Sequence, residues 1–140
     1  MQEIREVIEA KAALLETGDV KAMTRYYAPQ VVEFSLAPPL ASLADGTDPA
    51  PTEQWIGTFV APPKRTVTRL EITADGDVAF ATSVDSLTAT PRGMTEPFTM
   101  WYRVTLGLRR IDGKWLVTHE HSSVPFYMDG SFRAAVDLQP

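Results

Sequence analysis

FTMWYRVTLGLRRI (98–111), DG (112–113) and KWLVTHEHSSVP (114–125) are the stretch whose reading decides the fold of this 140-residue chain. Two strand-like runs joined by Asp-Gly are among the strongest hairpin signals a sequence carries. The second run holds both histidines of the protein, His119 and His121, on either side of Glu120. Register decides which of the three looks inward, because side chains alternate between the two faces of a strand. A two-residue type I′ turn at Asp112-Gly113 pairs Arg110 with Trp115 and Leu106 with His119. A three-residue loop with Gly113 left-handed in a bulge pairs Arg110 with Lys114, Leu106 with Thr118, Val104 with Glu120 and Tyr102 with Ser122.

The second register is the one expected. It gathers Met100, Tyr102, Val104, Leu106, Leu108, Leu116 and Val124 on one apolar face. The other face then carries Trp101, Arg103, Thr105, Trp115, Val117, His119 and His121, an aromatic and polar mixture suited to a subunit interface. Glu120 is left among apolar neighbours, where its pKa should rise. A desolvated carboxyl of that kind suits general acid/base catalysis; a carboxylate paired at the open end of the sheet is the alternative. Two histidines on one strand face, with no cysteine in the chain, do not complete a zinc site, so no metal is expected.

Working outward, Ile4, Val7, Ile8, Lys11, Ala12, Leu14 and Leu15 recur at helical spacing, predicting a helix over 3–16. Gly18 suits its C-terminal cap and Asp19 the start of a second helix over 20–27. A short strand follows over 31–36, then a proline-rich loop over 38–51. Thr52 should cap a third helix over 52–59. Strands over 67–73 and 78–90 precede the hairpin, with turns at 74–77 and 91–93. Helices followed by antiparallel strands are a segregated α+β order, with the helices covering the inner face of one curved sheet.

Composition sets the outer limits. A chain of this length suits one domain, residues 1–140, with a core of its own. Its net charge of −5 and scattered basic residues argue against nucleic-acid binding. Lys64-Arg65 and Arg109-Arg110 read as solvated strand-end charges. No apolar run approaches the roughly 20 residues of a membrane span, and a charged N-terminus does not suit a signal peptide; a cytoplasmic location is the expectation. Glycine-rich phosphate loops and a nucleophile elbow around Ser122 or Ser123 are missing, so no cofactor and no serine nucleophile are expected.

The run RRIDGKWLVTHEHSSVP (109–125), with YAPQVVEFSLAPPL (27–40) and GDVAFA (76–81), resembles the nuclear transport factor 2-like superfamily. More narrowly it is similar to the SnoaL-like group of ketosteroid isomerase homologues. The resemblance spans the chain and implies a cone-shaped, cystatin-like α+β fold of a curved antiparallel sheet on three N-terminal helices. It also implies a homodimer with a hydrophobic pocket for a small apolar carbonyl-bearing or cyclic metabolite. An enzyme of this kind performs cofactor-free isomerisation, cyclisation or dehydration. Polyketide-cyclase members place their acid where Glu120 falls, and kinase-association members place pocket residues on the parity of Leu106 and Ser122. The implied site has Glu120 as acid/base and Tyr102 and Ser122 as hydrogen-bonding groups. Tyr27, Phe34, Ser35, Trp55, Met100, Val104, Leu106 and Thr118 would line the pocket, and Trp101, Arg103, Trp115, His119 and His121 the dimer interface. Ser35 stands where isomerase relatives carry an aspartate near their catalytic base. A non-catalytic ligand-binding or association domain is the alternative the same fold implies.

Overall fold

A computed structural model describes residues 1–140. Helix α1 (Gln2–Thr17) ends on Gly18, whose φ of 77° is the left-handed cap conformation, and the Asp19 carboxylate accepts from the Ala22 N–H to open α2 (Val20–Met23). A single 3₁₀ turn, Thr24–Tyr26, then replaces the rest of the expected second helix. Strand β1 (Tyr27–Phe34) starts earlier than expected and includes Pro29. The proline is tolerated because β2 (Ser42–Ala44) pairs with Val31, Val32 and Glu33, leaving residue 29 beyond that pairing. Helix α3 (Ala50–Ile56) has Pro51 in its first turn, where the missing N–H is harmless. Strands β3 (Lys64–Asp75), β4 (Val78–Ala89), β5 (Phe98–Ile111) and β6 (Lys114–Ser123) complete the fold.

The six strands form one sheet in the order β2-β1-β6-β5-β4-β3. It is mixed rather than wholly antiparallel, because β1 runs parallel to β6. The helical cover is also narrower than expected. Ile4, Val7, Ile8, Lys11, Ala12 and Leu15 of α1 are buried, whereas no residue of α3 is. No helix is long and apolar enough to cross a membrane.

The hairpin turn corrects the expected register. Asp112 and Gly113 both have positive φ, 51° and 79°, and Ile111 pairs with Lys114, so the connection is a two-residue turn. Near the turn Trp115 and Val117 therefore face inward, and Val117 sits opposite Leu108, both 1% exposed or less. The pairing then slips: Leu108 meets Val117 but Gly107 meets His119, leaving Thr118 as the extra residue of a bulge. A Cβ on Gly107 would lie 3.1 Å from the Cβ of His119, so the missing side chain gives the bulge room. Beyond it, Glu120 pairs with Leu106 and Ser122 with Val104, both on the inner face.

This bulge lets one strand do two jobs. Trp115 and Val117 join the core with Ile4, Ile8, Leu15, Leu106 and Leu108, and Glu120 still points into the curve of the sheet. Each large apolar side chain buried this way stabilises the fold by about 1.5–3 kcal/mol. Trp115 is thus a core residue and not an interface residue. Val104 and Leu106, each 2% exposed, also belong to the core rather than to a pocket wall.

Candidate functional site

Glu120 is not surrounded by apolar groups. Its Oε1 lies 3.7 Å from Nζ of Lys11 and 3.6 Å from Nη1 of Arg65, while the Tyr27 hydroxyl donates to Oε2 at 3.3 Å. Four elements converge to make this arrangement. Lys11 comes from the buried face of α1, Arg65 from β3, Tyr27 from the start of β1 and Glu120 from β6 just past the bulge. Arg65 continues across the sheet to Asp85 on β4, placing both Nε and Nη2 at 2.8 Å from Oδ2. The Oδ1 atom of Asp85 is buried with no hydrogen-bond partner. The Arg65 guanidinium lies 5.8 Å from the centre of the Tyr102 ring, and Lys11 Nζ lies 4.8 Å from that of Tyr27.

Two cations and two carboxylates with this little exposure would be costly if left unpaired; together they cancel. The side chains of Asp85, Lys11, Arg65 and Glu120 are 0, 3, 15 and 19% exposed. Burial works to raise the Glu120 pKa, but Lys11 and Arg65, helped by the Tyr27 hydrogen bond, outweigh it and hold the carboxyl below its usual range. The sequence expectation of a raised pKa is therefore reversed, because charged neighbours and not only solvent exclusion set the value. Burial pulls the Lys11 amine down, Glu120 opposes it, and Arg65 adds to the depression. Burial, then the Glu120 charge, pushes the Tyr27 hydroxyl well above its ordinary value; burial takes Tyr102 up to about 12. Both phenols stay protonated. Glu33, the β1 partner of Glu120 in the parallel pairing, has its pKa raised first by burial and then by the Glu120 charge.

The family model of the SnoaL-like domain matches residues 4–127. The chain belongs to the SnoaL-like family. Its fold is that of the wider NTF2-like superfamily. An NTF2-like protein of unknown function from Pseudomonas putida KT2440 is 29% identical, with a TM-score of 0.84 over 99% of this chain and 95% of that one. A candidate scytalone dehydratase from Novosphingobium aromaticivorans DSM 12444 is 16% identical, with a TM-score of 0.78 over 96% and 90% of the two chains. A candidate calcium/calmodulin-dependent protein kinase II association domain from Xanthomonas campestris is 23% identical, with a TM-score of 0.72 over 86% and 84%. No curated protein matches.

In this SnoaL-like domain the sequence-predicted residues do not share one site. Glu120, Tyr27 and Tyr102 meet in the charged cluster. Ser122, one inward position beyond Glu120, and Ser35 line an open hollow of about 580 Å³ at the end of the sheet, which Phe34 and His121 of the outer face also border and which no residue of the charged cluster lines. Met100 is half-buried and packs on the core; Trp55 is 40% exposed and stands edge-on to Phe59 at 5.3 Å. Phe34 and Thr118 do not line the interior. Phe34 lies on the outer face, edge-on to His119 at 5.0 Å and His121 at 5.2 Å. Thr118 and Phe34 border an outer hollow of about 760 Å³. Trp101 and Arg103 share that outer face with the histidines, and Arg103 donates to the Ser123 hydroxyl at 3.2 Å. No group of three His, Cys, Asp or Glu side chains is placed to hold a metal ion.

Lys11, Arg65 and Asp85 are the residues that sequence reasoning passed over. Lys11 gave a signal: it occupies an apolar-face position in the α1 periodicity, where a charge needs a buried partner. Arg65 gave none, since beside Lys64 it read as a solvated strand-end charge.

Proposed function

We propose that this SnoaL-like domain binds a small carbonyl-bearing, largely apolar metabolite and transfers a proton on it without a cofactor, as an isomerase, cyclase or dehydratase does. The observation that carries the reading is the Glu120 carboxylate: ionised, turned into the curved sheet, and still 19% exposed. Held in that state, Glu120 serves as a base rather than as an acid. Ser122, the next inward position after Glu120, is the link between the carboxylate and the open hollow that Ser122 lines. The Lys11 and Arg65 cations beside Glu120 supply positive potential for the negative charge that develops on a carbonyl oxygen when an α-proton leaves, while the Tyr27 hydroxyl stays on Oε2 of Glu120. The low basicity of Glu120 costs about 1.4 kcal/mol per pKa unit, and the cationic partners offset it by stabilising the enolate.

The test is α-proton exchange. Cyclic ketones incubated with the protein in D₂O should lose their α-proton NMR signals, and Glu120→Gln should slow that loss by ~10² or more, the usual size of a general-base effect. Equal exchange by wild type and a folded Glu120→Gln variant removes the role.

A second reading has its own observation in favour. Glu120 is fully partnered by Lys11, Arg65 and Tyr27, as a structural carboxylate would be. The domain is then a non-catalytic binding or association module, the kind that the Xanthomonas relative's name describes. In either reading we place a homodimer contact on the outer face, through Trp101, Arg103, His119 and His121, in a cytoplasmic protein. Light scattering that gives a monomer contradicts the contact.

A further inference from the structure

Arg65 is divided between two carboxylates, and the division is uneven. Its Nε and Nη2 both lie 2.8 Å from Oδ2 of Asp85, whereas Nη1 stops 3.6 Å from Oε1 of Glu120, beyond ordinary hydrogen-bond length. The stronger grip belongs to the deeper acid, since the Asp85 side chain is 0% exposed and that of Glu120 is 19%. Arg65 is the one cation in ion-pair contact with Asp85, and no protein group donates to its Oδ1. A buried oxygen without a donor lowers stability, which points to a role for Asp85 outside packing. The charged and titratable groups around Glu120 are Lys11 from α1, Tyr27 and Glu33 from β1, Arg65 from β3, Asp85 from β4 and Tyr102 from β5. Among them Arg65 is the one ion-paired to a second acid.

We propose that Asp85 is a positioning residue: it holds the Arg65 guanidinium back from Glu120, so that the Glu120 carboxylate stays free to take a proton from a substrate. Without Asp85, a shift of about 1 Å brings Nη1 into hydrogen-bond range of Oε1. The released Nε and Nη2 then have Glu120 as their nearest acid, and a two-pronged guanidinium–carboxylate pair forms. Such a pair occupies the lone pairs that a base must offer. The catalytic consequence rests on the base role proposed for Glu120; the positioning itself does not.

The experiment is a ¹³C NMR titration of the Glu120 carboxyl in the full chain, with deuterium exchange of cyclohexanone measured alongside. Asp85→Asn should lower the Glu120 midpoint by about 1 pH unit, the lower end of what a guanidinium contact imposes on a carboxyl. Exchange should slow by up to ~10-fold, the most that one unit of lost basicity can cost. The Arg65→Met/Asp85→Asn double variant leaves neither position with an unpaired charge. It should carry the midpoint above the wild-type value, because the effect of Asp85 travels through Arg65. Arg65→Lys offers one nitrogen to two acids; the ammonium should stay with Asp85 and let the Glu120 midpoint rise toward 4.5. An Asp85→Asn chain that melts earlier with its Glu120 midpoint unmoved overturns the proposal. So does a double variant with a midpoint as low as that of Asp85→Asn, since charge removal alone then acted. If Asp85→Asn does not fold, Arg65→Lys decides, and a midpoint at or below the wild-type value overturns the positioning. Exchange indifferent to Glu120→Gln, with the midpoints moving as stated, removes the base reading and supports the positioning.

Discussion

Glu120→Gln keeps the shape of the side chain and removes its charge. Lys11, 3% exposed, then has an ammonium with no counter-ion, while Arg65 retains Asp85 at 2.8 Å. Removing one partner of a buried ion pair costs about 3–5 kcal/mol. The lower end applies here, because the glutamine oxygen can still accept from Tyr27 or Lys11 and because Lys11 can shed its proton. A loss of about 3 kcal/mol, at roughly 4 °C per kcal/mol for a domain of this size, lowers Tm by roughly 12 °C. Urea unfolding at pH 7 measures it, and the Lys11→Met/Glu120→Gln double variant should recover most of the loss, since no uncompensated charge remains. The wild type should also show an acid limb. A depressed carboxyl contributes in full above its unfolded pKa, near 4.3, and the contribution fades as pH falls through the lower folded value. A Glu120→Gln variant within ~0.5 kcal/mol of wild type, the scatter expected of an inconsequential surface change, refutes the reasoning.

Three further predictions concern the frame around the site. Glu33→Gln should stabilise the protein at pH 7 and have little effect below pH ~4, because the raised Glu33 pKa signals an ionised form that folding disfavours as pH rises; pH-dependent thermal melts read the difference. Gly113→Ala places a Cβ at φ 79° and should cost about 1–2 kcal/mol in chemical denaturation, with the contacts of the turn otherwise unchanged. Leu108→Ala, opposite Val117 at the level of the bulge, should cost about 2–5 kcal/mol, more than any outer-face substitution on β5.

Local chemistry was legible in the sequence, and long-range geometry was not. The apolar face of α1, the Gly18 cap, the Asp19 cap and the Asp112-Gly113 turn each announce themselves within a few residues. The family resemblance carried the cone-shaped fold, which no periodicity could supply. The bulge at Thr118 leaves no composition signal of its own, because its cause is spatial: β5 and β6 change register where Gly107 lets His119 approach. A strict period of two therefore gave Glu120 the right face for a mistaken reason, and it sent Trp115 and Val117 to the wrong one. The parallel pairing of β1 with β6 joins segments about 90 residues apart, as does the bond from Tyr27 to Glu120. Arg65 reaches Glu120 only through the curvature of the sheet. The surroundings of Glu120 were hidden for that reason, and with them the direction of its pKa.

The central claim is that Glu120 stands ionised inside the sheet between Lys11, Arg65 and Tyr27. A ¹³C NMR titration of glutamate side-chain carboxyl carbons, with the Glu120 signal assigned by its loss in Glu120→Gln, tests that claim directly. The account predicts a midpoint below the ordinary 4.5, with the carboxylate persisting after exposed glutamates have protonated. A midpoint above 4.5 would contradict it and return Glu120 to the role of a proton-holding acid.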